Sequence, residues 1–152
     1  MKKYFFFLFC SIFCTSVLFA QIENPVTWSF SAKKIAPKQY ELHMTANIDG
    51  NWHLYSQNAG EGPEPTSFHF SKNPLVKWMG KPAEIGKIES MYDPNFKSTL
   101  RFYNKQVDFV QKVTLKSAAS TSIKGVVTFM VCNDRRCLPP KDQSFTIKLD
   151  GK

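Results

Sequence analysis

Cysteine is scarce in this chain, with 4 in 152 residues, and two of the four, Cys10 and Cys14, fall inside the apolar N-terminal run. Glycine numbers only 7, and none sits in a glycine-rich phosphate loop. There is no Gly-x-Ser-x-Gly elbow and no His-Glu-x-x-His pair, which removes the familiar hydrolytic chemistries. The three histidines, His43, His53 and His69, are not in a paired metal spacing. Cys132 and Cys137 therefore lack the two further ligands a zinc centre needs, and neither metal nor cofactor is expected. Beyond residue 20 no stretch carries a helical apolar period, and none is long and apolar enough to cross a bilayer, so no stable membrane insertion is expected. Internal repeats and low-complexity tails are absent as well.

What is present begins with Met1-Lys2-Lys3, followed by nearly unbroken apolar sequence from Tyr4 to Phe19 and a small residue, Ala20, ahead of Gln21. A positive start, a short apolar run and a small residue at the exit read as a cleaved secretory signal over residues 1–20. The phenylalanines before Cys10 and Cys14 do not suit a lipoprotein site. Residues 21–152 then form one domain, long enough to bury a core. The formal net charge is +8, two of it from Lys2 and Lys3, and the remaining lysines are scattered singly along alternating segments, as on solvated strand faces. Together with export, that argues against a nucleic-acid partner. Export points to the periplasm, where disulfides persist.

The dominant period of the domain is two. Val26, Trp28 and Phe30 alternate with polar residues, as do Tyr40, Leu42, Met44, Ala46 and Ile48, the pattern of half-buried strands. Asp49-Gly50 is a hairpin signal, and Trp52 to Tyr55 is expected to return antiparallel to the strand before it. Ser56 to Pro65, with two glycines and two prolines, reads as a loop before Thr66 to Phe70. Val76 to Trp78 and Glu84 to Ile88 read as edge strands or irregular pieces, and Ser90 to Ser98 as a second loop. Leu100 to Tyr103, Val107 to Leu115, Ile123 to Val131, with Gly125 as a candidate bulge, and Phe145 to Leu149 complete about eight to ten strands. The expected fold is all-β, an immunoglobulin-like antiparallel β-sandwich.

The two cysteines left after export close a short loop, Cys132-Asn133-Asp134-Arg135-Arg136-Cys137, which leads into Leu138-Pro139-Pro140. Asn133-Asp134 is turn chemistry, and the prolines fix an extended exit. If the turn folds back, the cysteines can bridge. A staple this short constrains the unfolded chain by only about 2 kcal/mol, against about 4.7 for a loop of about 100 residues. It is the weaker kind of structural bridge and the more approachable kind for exchange. Arg135 and Arg136 either favour a thiolate at Cys137 or simply solvate the turn.

These residues resemble a known family. A β-rich exported domain ending in strand, Cys132 to Pro140 and last strand is similar to the N-terminal periplasmic domain of the thiol:disulfide interchange protein DsbD, in the form found in Bacteroidetes-type bacteria. The similarity runs over residues 25 to 150 and includes Asp49 to Tyr55. The resemblance implies that Cys132 and Cys137 form a disulfide that cycles with the dithiol. Electrons would arrive from a thioredoxin-like donor or membrane electron carrier and pass to periplasmic disulfide-containing proteins, such as isomerases and cytochrome c maturation proteins. It implies that Cys137 forms the mixed disulfide and Cys132 resolves it. A cap is implied within Glu89 to Phe96, with Met91 or Tyr92 covering the pair. His53 and Tyr55 would line the site, or else simply pack within their strand.

The chain departs from the better-known members in having four residues between the cysteines instead of five, and in ending at Lys152. The donor is accordingly expected to act in trans. Two readings remain at this stage: a thiol-disulfide oxidoreductase component, and a non-catalytic secreted sandwich that binds a partner and keeps the bridge as a structural staple.

Overall fold

The structure, a computed structural model, describes residues 23–151 apart from Asn95; the signal reading of residues 1–20, with Cys10 and Cys14, lies outside the described residues. Eleven strands follow one another, with no helix among the described residues: β1 (Val26–Ala36), β2 (Gln39–Ile48), β3 (His53–Tyr55), β4 (Ser67–Phe70), β5 (Val76–Ile85), β6 (Ile88–Asp93), β7 (Ser98–Asn104), β8 (Gln106–Leu115), β9 (Thr121–Phe129), β10 (Val131–Cys132) and β11 (Lys141–Leu149). All pairings are antiparallel. One layer runs β1-β2-β8-β5. The other is two shorter sheets, β10-β3-β7-β6 and β11-β9-β4, placed end to end where the chain passes from β9 to β10 through Met130.

The alternation seen in sequence is what closes these layers. Tyr40, Leu42, Met44, Ala46 and Ile48 of β2, with Val107, Phe109, Val113 and Leu115 of β8, face Ile123, Val127, Phe129, Phe145, Ile147 and Leu149 in one buried cluster. Full burial of side chains of this kind stabilises by about 1.5–3 kcal/mol each. Aromatic rings tie the layers at one end: Phe30 stacks on Phe145 at 4.7 Å, and Trp28 meets Phe129 edge-on at 5.4 Å. The result is an immunoglobulin-like sandwich, in agreement with the period-two reading.

Local expectations fare less evenly. Asp49-Gly50 does turn the chain, with Gly50 at φ +58°, but Trp52 to Tyr55 does not return beside β2. The Ile48 amide donates to the Lys105 carbonyl and the Asp49 amide to Pro25, so the corner is held by other strands and β3 crosses into the second layer. The segment expected as a loop from Ser90 to Ser98 is strand over Ser90 to Asp93 and at Ser98, because β6 and β7 form a hairpin there, and Pro94, Phe96 and Lys97 are turn. Its exposed edge strand carries too many polar residues to show an apolar period. The pieces around Val76 and Glu84 are one edge strand, β5, with an irregularity between Met79 and Ala83. Gln111, buried on the core side of β8, donates to the carbonyls of Met79 and Lys112 at 3.1 and 2.8 Å, satisfying acceptors that the irregular stretch would leave unpaired. Gly125 is not a bulge, since β9 pairs with β11 in unbroken register. It is glycine because a Cβ there would stand 2.5 Å from the Phe145 ring and 2.9 Å from the His69 carbonyl oxygen.

Candidate redox site

The sheet β10-β3-β7-β6 has two faces with different work. Leu54, Tyr103 and Val131 point into the main core. Register puts His53 across from Cys132 and from Asn104, and Tyr55 across from Phe102, on the opposite face. There a second cluster forms from Tyr55, Ala59, Leu100, Phe102 and Cys132, with Met130 packed against it. Two-faced burial explains why Phe129, Met130 and Val131 are all apolar. That break in the alternation was the legible sign of a second cluster.

Cys132 and Cys137 are joined by a disulfide, with a Cα–Cα distance of 4.0 Å. The loop between them is built from its own polar groups. The Asn133 side-chain oxygen accepts from the amides of Arg135 and Arg136 at 2.9 and 3.0 Å, while the Asn133 amide donates to the Arg136 carbonyl at 2.9 Å. The Leu138 amide then donates to the Val131 carbonyl at 2.9 Å, and the Leu138 side chain packs on the main core, so the exit is anchored as the prolines suggest. The two sulfur-bearing residues differ sharply in surroundings: Cys132 is 3% exposed, whereas Cys137 lies on the surface. Arg135 and Arg136 are exposed too. The Arg136 guanidinium is bonded to the Glu23 carboxylate, so only part of the positive charge inferred from sequence is uncommitted.

His53 is half-buried. Its ring lies 4.5 Å from Phe102 and edge-on to Tyr55 at 5.3 Å, with Nε2 3.4 Å from the Tyr55 hydroxyl. Burial pushes its imidazole below the ordinary 6.5, against a weaker upward pull from Asp134. The Tyr55 phenol is pushed up, by burial first and by Asp93 second, and stays a hydrogen-bond donor.

The residues expected to form a cap are divided by the ladder. Glu89 stands opposite Phe102 and Met91 opposite Leu100, on the face that holds Cys132, while Tyr92 pairs with Thr99 and belongs to the other face. Glu89, Met91, His53, Phe102, Asn104 and Asp134 share one groove. Phe96, at the hairpin tip, covers Gly62, where a Cβ would stand 2.3 Å from its ring.

This arrangement can be compared with known proteins. Residues 21–149 match the family described as thiol:disulfide interchange protein DsbD, N-terminal. The chain belongs to the DsbD N-terminal family. Among solved structures it is similar to the Neisseria meningitidis DsbD N-terminal domain in its reduced form, at 16% identity and TM-score 0.55, covering 83% of this chain and 86% of that one. It is similar to the complex of the DsbD and PilB N-terminal domains from the same organism, at 17% identity and TM-score 0.53, covering 83% and 87%. It also resembles the N-terminal periplasmic domain of ScsB from Proteus mirabilis, at 16% identity and TM-score 0.50 over 82% of this chain, which spans 45% of that one. No curated protein matches. At these identities the structures speak for the fold of this DsbD N-terminal domain.

Several residues that shape the site carried no sequence signal. Glu84, from β5, accepts from the Ser56 hydroxyl at 2.9 Å, the Gln57 amide at 2.6 Å and the Tyr103 hydroxyl at 2.7 Å. It thereby fixes the start of the loop after β3. Burial, then Glu84, pushes the Tyr103 phenol far above 10. Ala59 and Phe102 read as ordinary loop and strand residues; strand pairing brings Phe102 to the face of Cys132, and the Arg101 amide, donating to the Ala59 carbonyl at 2.9 Å, ties the loop there.

Proposed function

We propose that this chain is a periplasmic thiol-disulfide exchange domain in which Cys137 meets the partner and Cys132 resolves. The observation that carries the reading is the asymmetry of the pair: an exposed Cys137 on a short loop, bonded to a buried Cys132. Exchange requires in-line approach to one sulfur, and Cys137 is the approachable one.

In the reduced domain the Cys137 thiolate attacks a partner disulfide, forming a mixed disulfide and releasing one partner thiolate. The Cys132 thiolate then attacks the Cys137 sulfur, the second partner thiolate leaves, and the Cys132–Cys137 bond reforms. Two electrons pass to the partner. A thioredoxin-like or membrane-borne donor restores the dithiol by the reverse sequence. Glu89 and Met91 flank the approach, with Met91 as the covering side chain, while His53 and Tyr55 form the wall beside Cys132. Membership in the DsbD N-terminal family and the periplasmic relative support the setting.

The test is the reduction potential of the pair in the folded domain, read by thiol trapping in a thiol-disulfide buffer. A value between about −180 and −270 mV is expected for an exchange-active pair. A value below about −300 mV would instead identify a structural staple in a binding module. Cys137→Ser should abolish reduction of partner disulfides, and undiminished transfer by that variant would also overturn the reading.

A further inference from the structure

Resolution needs Cys132 as a thiolate, yet Cys132 is buried within its cluster. The apolar surroundings of Tyr55, Ala59, Leu100 and Phe102 disfavour a charged thiolate and so withhold the attacking form. Something beside it must take the proton. The strand register puts one ionisable side chain directly across from Cys132, and it is His53. Residues opposed in an antiparallel pair carry their Cβ atoms about 4.5–5.5 Å apart, within reach of an imidazole and a thiol.

We infer that His53 is the base that receives the Cys132 proton during resolution, an inference that rests on the exchange reading above. In the mixed disulfide, the Cys132 thiol gives its proton to the neutral imidazole. The resulting thiolate forms a bond to the Cys137 sulfur, the Cys137–partner bond breaks, and its electron pair leaves on the partner sulfur. The imidazolium returns the proton to that leaving thiolate or to water. Electrons and protons balance without a further reactant.

The surroundings suit a base that is neutral at rest. The ring is packed against Phe102 and Tyr55, and burial keeps its pKa low. Charged groups line its groove from three elements: Asp134 from the cysteine loop, Glu89 from β6, and Lys105 from the turn after β7. The Tyr55 hydroxyl faces it from its own strand. Asp134 stabilises the imidazolium once formed, while Glu89 is paired with Lys87 at 3.6 Å. Cys137, out on the surface, has water for its proton and does not need His53.

The experiment uses the reduced domain and an aromatic disulfide that releases a coloured thiolate, 5,5′-dithiobis(2-nitrobenzoate). The first release reports attack by Cys137 and the second reports resolution by Cys132, so the two steps are read in one trace. His53→Gln and His53→Phe are each expected to lower the ratio of second to first rate constant by about 100-fold near pH 7, the lower range for a positioned base. In the unsubstituted domain the second rate should level off above the His53 pKa, whereas in both variants it should keep rising with pH toward the thiol pKa. An unchanged ratio and unchanged pH profile in a variant that still gives two releases would overturn the role of His53 while leaving the exchange reading intact. A pair that resists reduction in the folded domain would remove both.

Discussion

Met91 stands directly across the β6–β7 ladder from Leu100, 50% exposed where Leu100 is buried against the cluster that holds Cys132. The side chain proposed to cover the cysteine pair is therefore carried by an edge strand, and it contributes little to the core. Met91→Ala should speed reduction of the disulfide by a small thiol several-fold, because less must move aside. The denaturant midpoint should stay within about 0.5 kcal/mol of the parent, as for surface changes generally. Thiol trapping and urea titration measure the two effects separately.

One side chain ties together the amides of the loop between the cysteines. Asn133 accepts from two successive amides, and this turn is expected to keep Cys132 and Cys137 near each other when the bond is open. Asn133→Ala should loosen the dithiol form and make the bridge easier to keep reduced. A loss of about 1 kcal/mol of preorganisation corresponds to a rise of about 20 mV in reduction potential. Equilibration against a thiol-disulfide buffer reads this directly, and a lower potential would contradict the role given to the turn.

Gly125 lies under the Phe145 ring with β4 on its other side. Gly125→Ala drives a methyl group against both the ring and the His69 carbonyl, and overpacking of this kind costs about 1–3 kcal/mol. Equilibrium unfolding should show that loss with no change in the reduction potential, since the site lies in the neighbouring sheet.

Stability should depend on pH at both ends. His53 has a folded pKa below its ordinary 6.5, so the unfolded chain binds its proton first. Its contribution is present above about 6.5 and is lost as pH falls toward the folded value. Tyr103 has a folded pKa raised well above 10 by burial and by Glu84. Its contribution is complete below about 10 and is lost as pH rises beyond, because the unfolded phenol ionises first. His53→Gln should flatten the acid limb and Tyr103→Phe the alkaline limb in chemical denaturation followed across pH.

The wrong and right expectations have a common physical cause. An apolar period is visible where one face of a strand is buried and the other is wet, as in β2 and β8. It fades in β6, whose place at a sheet edge lets Glu89, Ser90 and Asp93 be polar, so the sequence there carries no strand signal. Asp49-Gly50 announced a turn, but a turn signal states where the chain bends and not which strand receives it. The bonds of Ile48 to Lys105 and Asp49 to Pro25 decided that. Glu84 had no motif at all, since its three partners come from segments separated from it in sequence.

By itself the sequence determined the all-β sandwich, the position of the cysteine loop and the stiff Leu138-Pro139-Pro140 exit, because local alternation, turn chemistry and proline geometry are properties of neighbouring residues. Only the tertiary structure decided which cysteine is buried, which of Glu89, Met91 and Tyr92 share its face and that His53 stands across from Cys132. Those relations depend on strand register and on which layer each strand joins. Register is set by the summed burial of both faces across several strands, a quantity that no single stretch of sequence contains.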